Sequence, residues 1–136
     1  MPVVVIAKTE AEYRDWVADQ KAGAAAEAEA SGKVWVMDDL MARGEKTYNT
    51  ACAACHQPNG QGIPGVFPAI AGSAIATGDM SGHINIVLNG KSGTAMQAFG
   101  EQLGDADIAA VVTYQRNAFG NNTGDVVQPS EIKAVR

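Results

Sequence analysis

Large apolar side chains are scarce in this sequence of 136 residues. Leucine, isoleucine, valine and phenylalanine together account for 27 residues, or 20% of the chain, whereas alanine alone contributes 24. At this content the burial of side chains barely offsets the entropy of ordering the chain, and 15 glycines raise that cost. We therefore expect either a loosely ordered chain or a core that something other than side chains completes.

Long apolar runs, basic clusters and an export signal are also missing. No run of 18 apolar residues exists, so we expect no segment of this chain to span a membrane. Residues 1–6 lack the basic start, the long apolar stretch and the cleavage site of a secretory signal. The net charge is −5 and no basic run is present, which argues against nucleic acid or anionic membranes as partners.

The length allows one domain with a short remainder, and local patterns divide the chain into four parts. Residues 1–21 form an N-terminal extension, in which the β-branched run 3–6 predicts a strand and the capping box of Thr9 and Glu12 predicts a helix start. Residues 22–33 carry no large apolar side chain, so we interpret 22–37 as a partly helical linker. A main domain over 38–120 and a polar tail over 121–136 follow, with a last helical turn at Pro129 and Ser130.

The main domain is predicted to be all-α, with helices joined by long loops. Apolar spacing predicts helices over about 38–51 and 105–120, and Ser81 is the predicted cap of a short helix that ends at Leu88. The loops over 56–72 and 90–104 are rich in glycine. Loops of this length in a small domain usually have a functional cause.

Both cysteines lie in one pentapeptide, Cys52-Ala53-Ala54-Cys55-His56, which is the attachment signature for c-type haem. Two intervening residues at a helix end allow both sulfurs to reach one porphyrin edge, while the next residue presents its imidazole to iron. Thioether bonds hold the haem covalently, so the cofactor can supply the missing core and still expose an edge.

Three other interpretations of the cysteine pair remain open. A redox dithiol would need a βαβ context, which the sequence does not show. Half of a zinc site would have His83 as its only other obvious ligand, and the adjacency of Cys55 and His56 suits one tetrahedral ion poorly. A simple disulfide or a chance occurrence is the third.

From about residue 38 to residue 120 the chain resembles a class I cytochrome c domain. Four motifs in order carry the resemblance: Gly44-x-x-x-Tyr48-x-x-x-Cys52 and the segments 67–73, 93–99 and 105–114. The resemblance implies the class I cytochrome c fold around one covalent haem c. It also implies that the carbonyl of Pro68 accepts the Nδ1 proton of His56, and that the segment 93–99 is a methionine-ligand loop.

Met96, Met80 and His83 are the candidates for the sixth position on iron, opposite His56. Met96 follows His56 by 40 residues in a loop of small residues, which is long enough to pass around the haem rim. Met80 is expected to be ordinary packing at a helix start, and His83 to lie at the surface or on the propionate side. His56 and Met96 are therefore the predicted iron ligands.

A His/Met pair predicts an electron carrier rather than an enzyme. Thioether sulfur favours ferrous iron and raises the reduction potential, and a filled sixth position leaves no room for dioxygen or peroxide. Ile70 is expected to border the haem and to exclude water from it together with Phe67, Val111, Val112 and Tyr114. A haem enzyme or gas sensor with an open iron position is the alternative from another class.

Residues 1–5, followed by Tyr13-Arg14-Asp15-Trp16, resemble the end of the copper A domain in subunit II of bacterial haem-copper oxidases. Some such subunits continue into a fused cytochrome c domain, which implies the copper A domain of the same subunit as electron acceptor. The electron donor would be a cytochrome or a bc complex. Met1 could stand at a copper-ligand position or be only an initiator, and because the motif's other cysteines and histidines are missing, no copper is expected in this fragment.

Covalent haem attachment takes place outside the cytoplasm. We therefore expect a membrane-anchored parent protein whose domain faces the periplasm. The alternative is a freestanding periplasmic cytochrome c that serves another redox enzyme, and the extension over residues 1–21 is the sequence feature against it.

Overall fold

The computed structural model of the chain describes residues 4–136. This described part of the chain contains seven helices: α1 (Glu10–Gly32), α2 (Met37–Ala51), α3 (Ala53–His56), α4 (Ala74–Thr77), α5 (Met80–Asn89), α6 (Asp105–Asn117) and α7 (Pro129–Val135). Among the described residues, β structure is limited to one isolated bridge between Ile63 and Phe67. The predicted all-α fold is therefore confirmed. None of the described helices combines the length and apolar character that crossing a membrane requires.

Helices α2 and α6 form the main packed pair, and Gly44 lies where they cross. A Cβ atom at Gly44 would stand 2.2 Å from the carbonyl oxygen of Ala110 and 2.6 Å from the Cβ of Tyr114. One turn later, the ring of Tyr48 packs against the rings of Tyr114 and Phe119, with centroids 5.6 and 4.9 Å away. The close crossing therefore requires a residue without a side chain at position 44.

Helix α5 begins two residues earlier than the sequence predicts, because Asp79 caps it in place of Ser81. Asp79 is the N-cap, and its side chain accepts a hydrogen bond of 2.6 Å from the backbone N–H of Gly82. Ser81, the predicted cap, lies inside the first turn. A carboxylate at this position also interacts favourably with the positive end of the helix dipole.

The predicted strand at the start of the chain is not formed by residues 4–6, which have no regular structure and are exposed. Val3, the first residue of that prediction, lies outside the described residues. The part of the chain that the structure describes offers this run no second strand to accept and donate its backbone hydrogen bonds. The predicted capping box is present: Glu12 N–H donates to Thr9 Oγ1, and Thr9 N–H donates to Glu12 Oε2 at 2.8 Å.

The segment interpreted as a linker is helical over 22–32. Helix α1 is 23 residues long in total, or about 35 Å at 1.5 Å per residue, and it continues through this segment as far as Gly32. Alanine and glutamate favour helix strongly enough to continue α1 without a buried apolar face.

A polar side chain, rather than an apolar one, attaches this segment to the domain. Glu27 accepts a hydrogen bond of 2.8 Å from Arg43 Nη2 and one of 3.2 Å from the backbone N–H of Ala106. The second bond satisfies a first-turn N–H of α6, whose own N-cap residue, Gly104, has no side chain to do so. A Cβ at Gly104 would lie 2.0 Å from Glu27 Oε1, so this contact also needs glycine.

Residues 121–136 are an integrated part of the fold, in contrast to the predicted polar tail. Val127, Pro129 and Ile132 are fully buried. The backbone N–H of Val127 donates to Thr113 Oγ1 at 3.0 Å, and helix α7 packs on α6. Three apolar residues spaced among polar ones are enough to pack this segment against α6. The segment is too short for its apolar periodicity to predict that packing.

Replacing Gly44 by Ala tests the helix crossing. We expect a loss of at least about 1–3 kcal/mol in the free energy of unfolding, because the new methyl group collides with backbone rather than with a flexible side chain. Gly23→Ala in α1 is the matched control, since a Cβ there meets nothing within 4 Å. Denaturant unfolding measures both, and equal stability of the two variants would contradict the crossing.

Replacing Glu27 by Ala tests the attachment of α1. We expect faster hydrogen exchange at the backbone amide of Ala106, and a loss of about 1 kcal/mol because the carboxylate is only partly shielded from solvent. Glu29→Ala removes an exposed carboxylate from the same helix and should leave exchange at Ala106 unchanged. Equal exchange rates in the two variants would contradict the attachment.

Candidate functional site

A cavity of about 350 Å³ lies between the end of α2, helices α3, α5 and α6, and the loops that connect them. The predicted site residues all border it: Cys52, Cys55, His56, Pro68, Ile70 and Met96. They come from three segments that are up to 44 residues apart in sequence. The structure therefore brings the predicted set together around one space.

Cys52 joins α2 to α3 and Cys55 lies within α3, and both are free thiols. His56 N–H donates to the carbonyl of Cys52 at 3.0 Å, which closes the single turn of α3 and places the three side chains on one short segment. Burial, reinforced by the charge of Cys55, raises the pKa of Cys52 to about 11. A redox dithiol requires a thiol that ionises easily, so this environment does not suit that interpretation.

The ring of His56 is fixed by a hydrogen bond across the loop that follows it. Its Nδ1 lies 2.9 Å from the carbonyl oxygen of Pro68. A carbonyl oxygen only accepts, so Nδ1 carries the proton and Nε2 keeps its lone pair for a metal ion. The next residue is fixed as well, since the buried hydroxyl of Tyr48 donates to the carbonyl of Gln57 at 2.8 Å.

Met96 is half-buried, and its loop is tied back to α5. The backbone N–H of Lys91 donates to the carbonyl of Met96 at 3.0 Å, and that of Phe99 donates to the carbonyl of Val87 at 3.1 Å. The hydroxyl of Thr94 accepts from the Met96 N–H at 3.2 Å. These bonds hold the methionine side chain at the cavity wall without any regular secondary structure.

Asn121 is a buried positioning residue that the sequence did not reveal. Its side-chain oxygen accepts from the Gly72 N–H at 2.8 Å, and its amide nitrogen donates to the carbonyls of Ile70 and Gln115 at 3.1 and 2.8 Å. The side chain thus joins the loop of Ile70 to the end of α6. A single asparagine in a polar segment carries no pattern that would have identified this role.

Two of the five residues expected to exclude water do not border the cavity. Phe67, Ile70 and Val111 do. Val112 is fully buried in the core cluster, and Tyr114 packs on Tyr48 and Phe119. Val112 points about 100° around α6 from Val111 and faces the core, and the contacts of Tyr114 with Tyr48 and Phe119 hold its ring away from the cavity.

The other candidates for the sixth iron ligand lie in different settings. Met80 packs against the core cluster from the first turn of α5, as expected. His83, expected at the surface or on the propionate side, is buried with 3% exposure and borders the cavity. Its partner on α6 explains the difference: His83 Nε2 lies 2.8 Å from Gln115 Oε1.

The residues around the cavity fit a haem. The volume lies within the range of pockets that enclose cofactors, about 300–1,000 Å³. Its wall is mainly apolar, two thiols stand at one side, and a histidine with a free Nε2 and a methionine both border it. Covalent attachment, a nitrogen ligand and a thioether ligand are the three contributions that a His/Met haem c requires of its protein.

The fold and site define a cytochrome c domain. Comparison with known families agrees: the model described as "Cytochrome C oxidase, cbb3-type, subunit III" matches residues 39–114. The match covers more than half of the chain, and the chain belongs to this family. As a member of a cytochrome c family it binds haem c covalently and transfers electrons.

Individual relatives come from several kinds of redox protein. The chain is 33% identical over 103 residues to the "Alcohol dehydrogenase (quinone), cytochrome c subunit" of Gluconobacter oxydans. The aligned residues cover 68% of this chain and 22% of that protein. The chain is 38% identical over 94 residues to cytochrome c-552 of Thermus thermophilus, with 59% of this chain and 70% of the relative covered. The "Cbb3-type cytochrome c oxidase subunit CcoP" of Azospirillum brasilense is 32% identical over 84 residues, which are 57% of this chain and 28% of that protein. The chain thus spans only about a fifth of the alcohol dehydrogenase subunit it matches.

Replacing Met96 by Ala tests its place at the iron. We expect the thioether-to-iron absorption of the ferric protein to disappear and the reduction potential to fall, because a soft ligand that favours ferrous iron is lost. Met80→Ala is the matched control, since Met80 packs against the core without bordering the cavity. Visible spectra and redox titration measure both effects, and an unchanged Met96→Ala spectrum would assign the position to another residue.

Proposed function

We propose that this domain carries electrons through a haem c ligated by His56 and Met96 and delivers them to the copper A centre of a haem-copper oxidase. Cys52 and Cys55 are the covalent anchors of the haem. The observation that carries the ligand assignment is the convergence of these four side chains on one cavity, with the His56 ring held by Pro68. When bound, the haem supplies one iron that exchanges a single electron.

The protein's own residues set the conditions for that exchange. Phe67, Ile70 and Val111 line an apolar wall that keeps water from the iron. The Met96 side chain fills the remaining iron position, which disfavours the alternative of a gas sensor or haem enzyme. Rapid binding of carbon monoxide to the reduced protein at neutral pH would support that alternative instead.

Contact with a redox partner is proposed to be apolar rather than steered by charge. Residues 39–120 contain six acidic and four basic residues, so they offer no excess of lysine for an acidic partner. Val66 and Ile75 border the cavity and are 67% and 45% exposed. Exposed apolar side chains at the opening to a redox centre suit a small, transient interface.

Two features support the copper A domain as the acceptor. The first is the resemblance of residues 1–16 to the end of such a domain. The second is exposed apolar surface in the same region: Val4, Val5 and Ile6 are 71–88% exposed, and Tyr13 and Trp16 are 55% and 45% exposed. The rings of Tyr13 and Trp16 pack on each other with centroids 5.8 Å apart, and a preceding domain would cover this exposed surface.

Helix α1 gives this arrangement a physical advantage. A continuous helix attached by Glu27 fixes the direction in which the N-terminal segment leaves the domain. A partner joined at that end would stay close to the haem at every encounter, which raises its effective concentration.

A second candidate is supported by the relatives. Their names include the cytochrome c subunit of a quinone-dependent alcohol dehydrogenase and an oxidase subunit of the cbb3 type. Under this alternative, the domain is a cytochrome c unit of a different redox complex, or a freestanding periplasmic carrier. The partner then differs, while the roles of His56 and Met96 stay the same.

The coding sequence upstream of Met1 distinguishes the candidates. We expect it to encode two transmembrane helices and a copper-binding domain of the cupredoxin type, which would also place the parent on the periplasmic side of the membrane. An upstream region that encodes a dehydrogenase-associated cytochrome, or only an export signal, would contradict the copper A proposal.

Electron transfer tests the same proposal on the protein. In the full-length subunit with both cofactors, we expect an electron placed on the haem by a photoreductant to reach copper A in a first-order step whose rate is independent of protein concentration. Haem and copper absorbance would be followed together. Transfer that becomes slower on dilution, or that does not reach copper, would contradict the proposal.

A further inference from the structure

His83 is a buried histidine that the proposed function does not use. It lies on α5 with 3% exposure and borders the same cavity as His56 and Met96. The only described hydrogen bond of its side chain joins Nε2 to Oε1 of Gln115 on α6, at 2.8 Å, and Gln115 is equally buried. A polar pair therefore stands in an otherwise mainly apolar wall.

The partner of His83 defines the state of its ring. The side-chain oxygen of Gln115 only accepts hydrogen bonds, so Nε2 of His83 carries the proton and donates it. Burial, assisted by the charge of Arg116 and opposed by the Gln115 bond, lowers the pKa of His83 to about 4. The ring is then neutral at neutral pH, and Nδ1 presents a lone pair.

That lone pair has no donor among the residues the structure describes, and Nδ1 of His83 is inaccessible to solvent. A buried acceptor without a donor costs free energy, so native structures usually supply one, often an ordered water. The haem cannot be the donor: its ionised propionates only accept hydrogen bonds, and the rest of its edge is hydrocarbon. A small molecule that shares the cavity with the haem would supply the missing donor.

We propose that His83, oriented by Gln115, binds one water molecule through Nδ1 inside the haem pocket and lowers the reduction potential of the iron. A water dipole stabilises the more positively charged ferric state better than hydrocarbon does. Buried waters of this kind occupy polar sites at which otherwise unsatisfied groups need a partner. The proposal rests on haem occupying the cavity and is independent of the redox partner. His83 acts here as a positioning residue and not as an iron ligand.

The tautomer of His83 gives the first test. In the reduced, haem-loaded protein labelled with ¹⁵N-histidine, we expect the ¹⁵N shifts to show a protonated Nε2 and an unprotonated Nδ1 at neutral pH. A nuclear Overhauser effect should connect the His83 ring proton with a long-lived water. A protonated Nδ1 would overturn the proposal, since it would mean donation to a propionate, and so would the absence of the water signal.

Variants give the second test. His83→Leu removes the water site and should raise the reduction potential while the Met96 absorption band stays in place. His83→Asn retains a donor and an acceptor and should return the potential towards that of the parent protein. Asn85→Leu, at an exposed position on the same helix, is the matched control and should leave the potential unchanged. An unchanged potential in folded His83→Leu would overturn the proposal.

The outcomes separate this inference from the proposed function. Loss of the Met96 band in His83→Leu would show that His83 affects the iron ligands rather than a water molecule, and would overturn the inference alone. If His83→Leu does not fold, the ¹⁵N measurement of the His83 tautomer in the parent protein decides whether the water proposal stands. A parent protein that binds no haem would instead contradict the function from which the inference starts.

Discussion

The hydrogen bond between His56 Nδ1 and the carbonyl oxygen of Pro68 is the constraint on which the site depends. It spans 12 residues of loop and fixes the imidazole beside the two cysteines. The loop that follows His56 is held by further backbone bonds, including Ile70 N–H to the carbonyl of Gly60 at 2.8 Å. Asn121 then joins the Ile70 segment to α6. Each of these bonds fixes one more wall of the cavity relative to the imidazole.

The cavity explains how a chain with few large apolar residues forms a domain. The buried side chains gather around α2, α5, α6 and α7, and they leave a space of about 350 Å³ at the site. A haem joined to Cys52 and Cys55 would fill this space with apolar surface and could not be lost by dissociation. The shortage seen in the composition is thus a property of a fold that is completed by its cofactor.

The sequence predicted those parts of the molecule that depend on local signals. The capping box at Thr9 and the cysteine motif are each contained within a few residues, so the sequence alone identifies them. The helices over 37–51 and 105–117 have long apolar patterns. It missed the contacts made over long separations. The bond from Ala106 to Glu27 spans 79 residues and that from His83 to Gln115 spans 32, and nothing local to either residue indicates its partner. Residues 4–6 of the predicted strand failed for the same reason, because a strand needs a distant neighbour.

The attachment of α1 changes how the N-terminal part of the chain is understood. A flexible linker would let a preceding domain sample many orientations, whereas a helix held by Glu27 and Arg43 restricts them. Trp35, which follows α1 in the chain, adds a second attachment to the domain, since its backbone forms two hydrogen bonds of 2.9 Å with the Gln128 side chain. The cytochrome domain and helix α1 are therefore best treated as one unit.

The mass of the mature protein tests the central claim most directly. After expression in a host that attaches c-type haem, the account predicts a coloured protein whose denatured mass exceeds that of the 14.1 kDa polypeptide by one haem. A colourless product with the mass of the polypeptide alone, from a host that matures other c-type cytochromes, would contradict it.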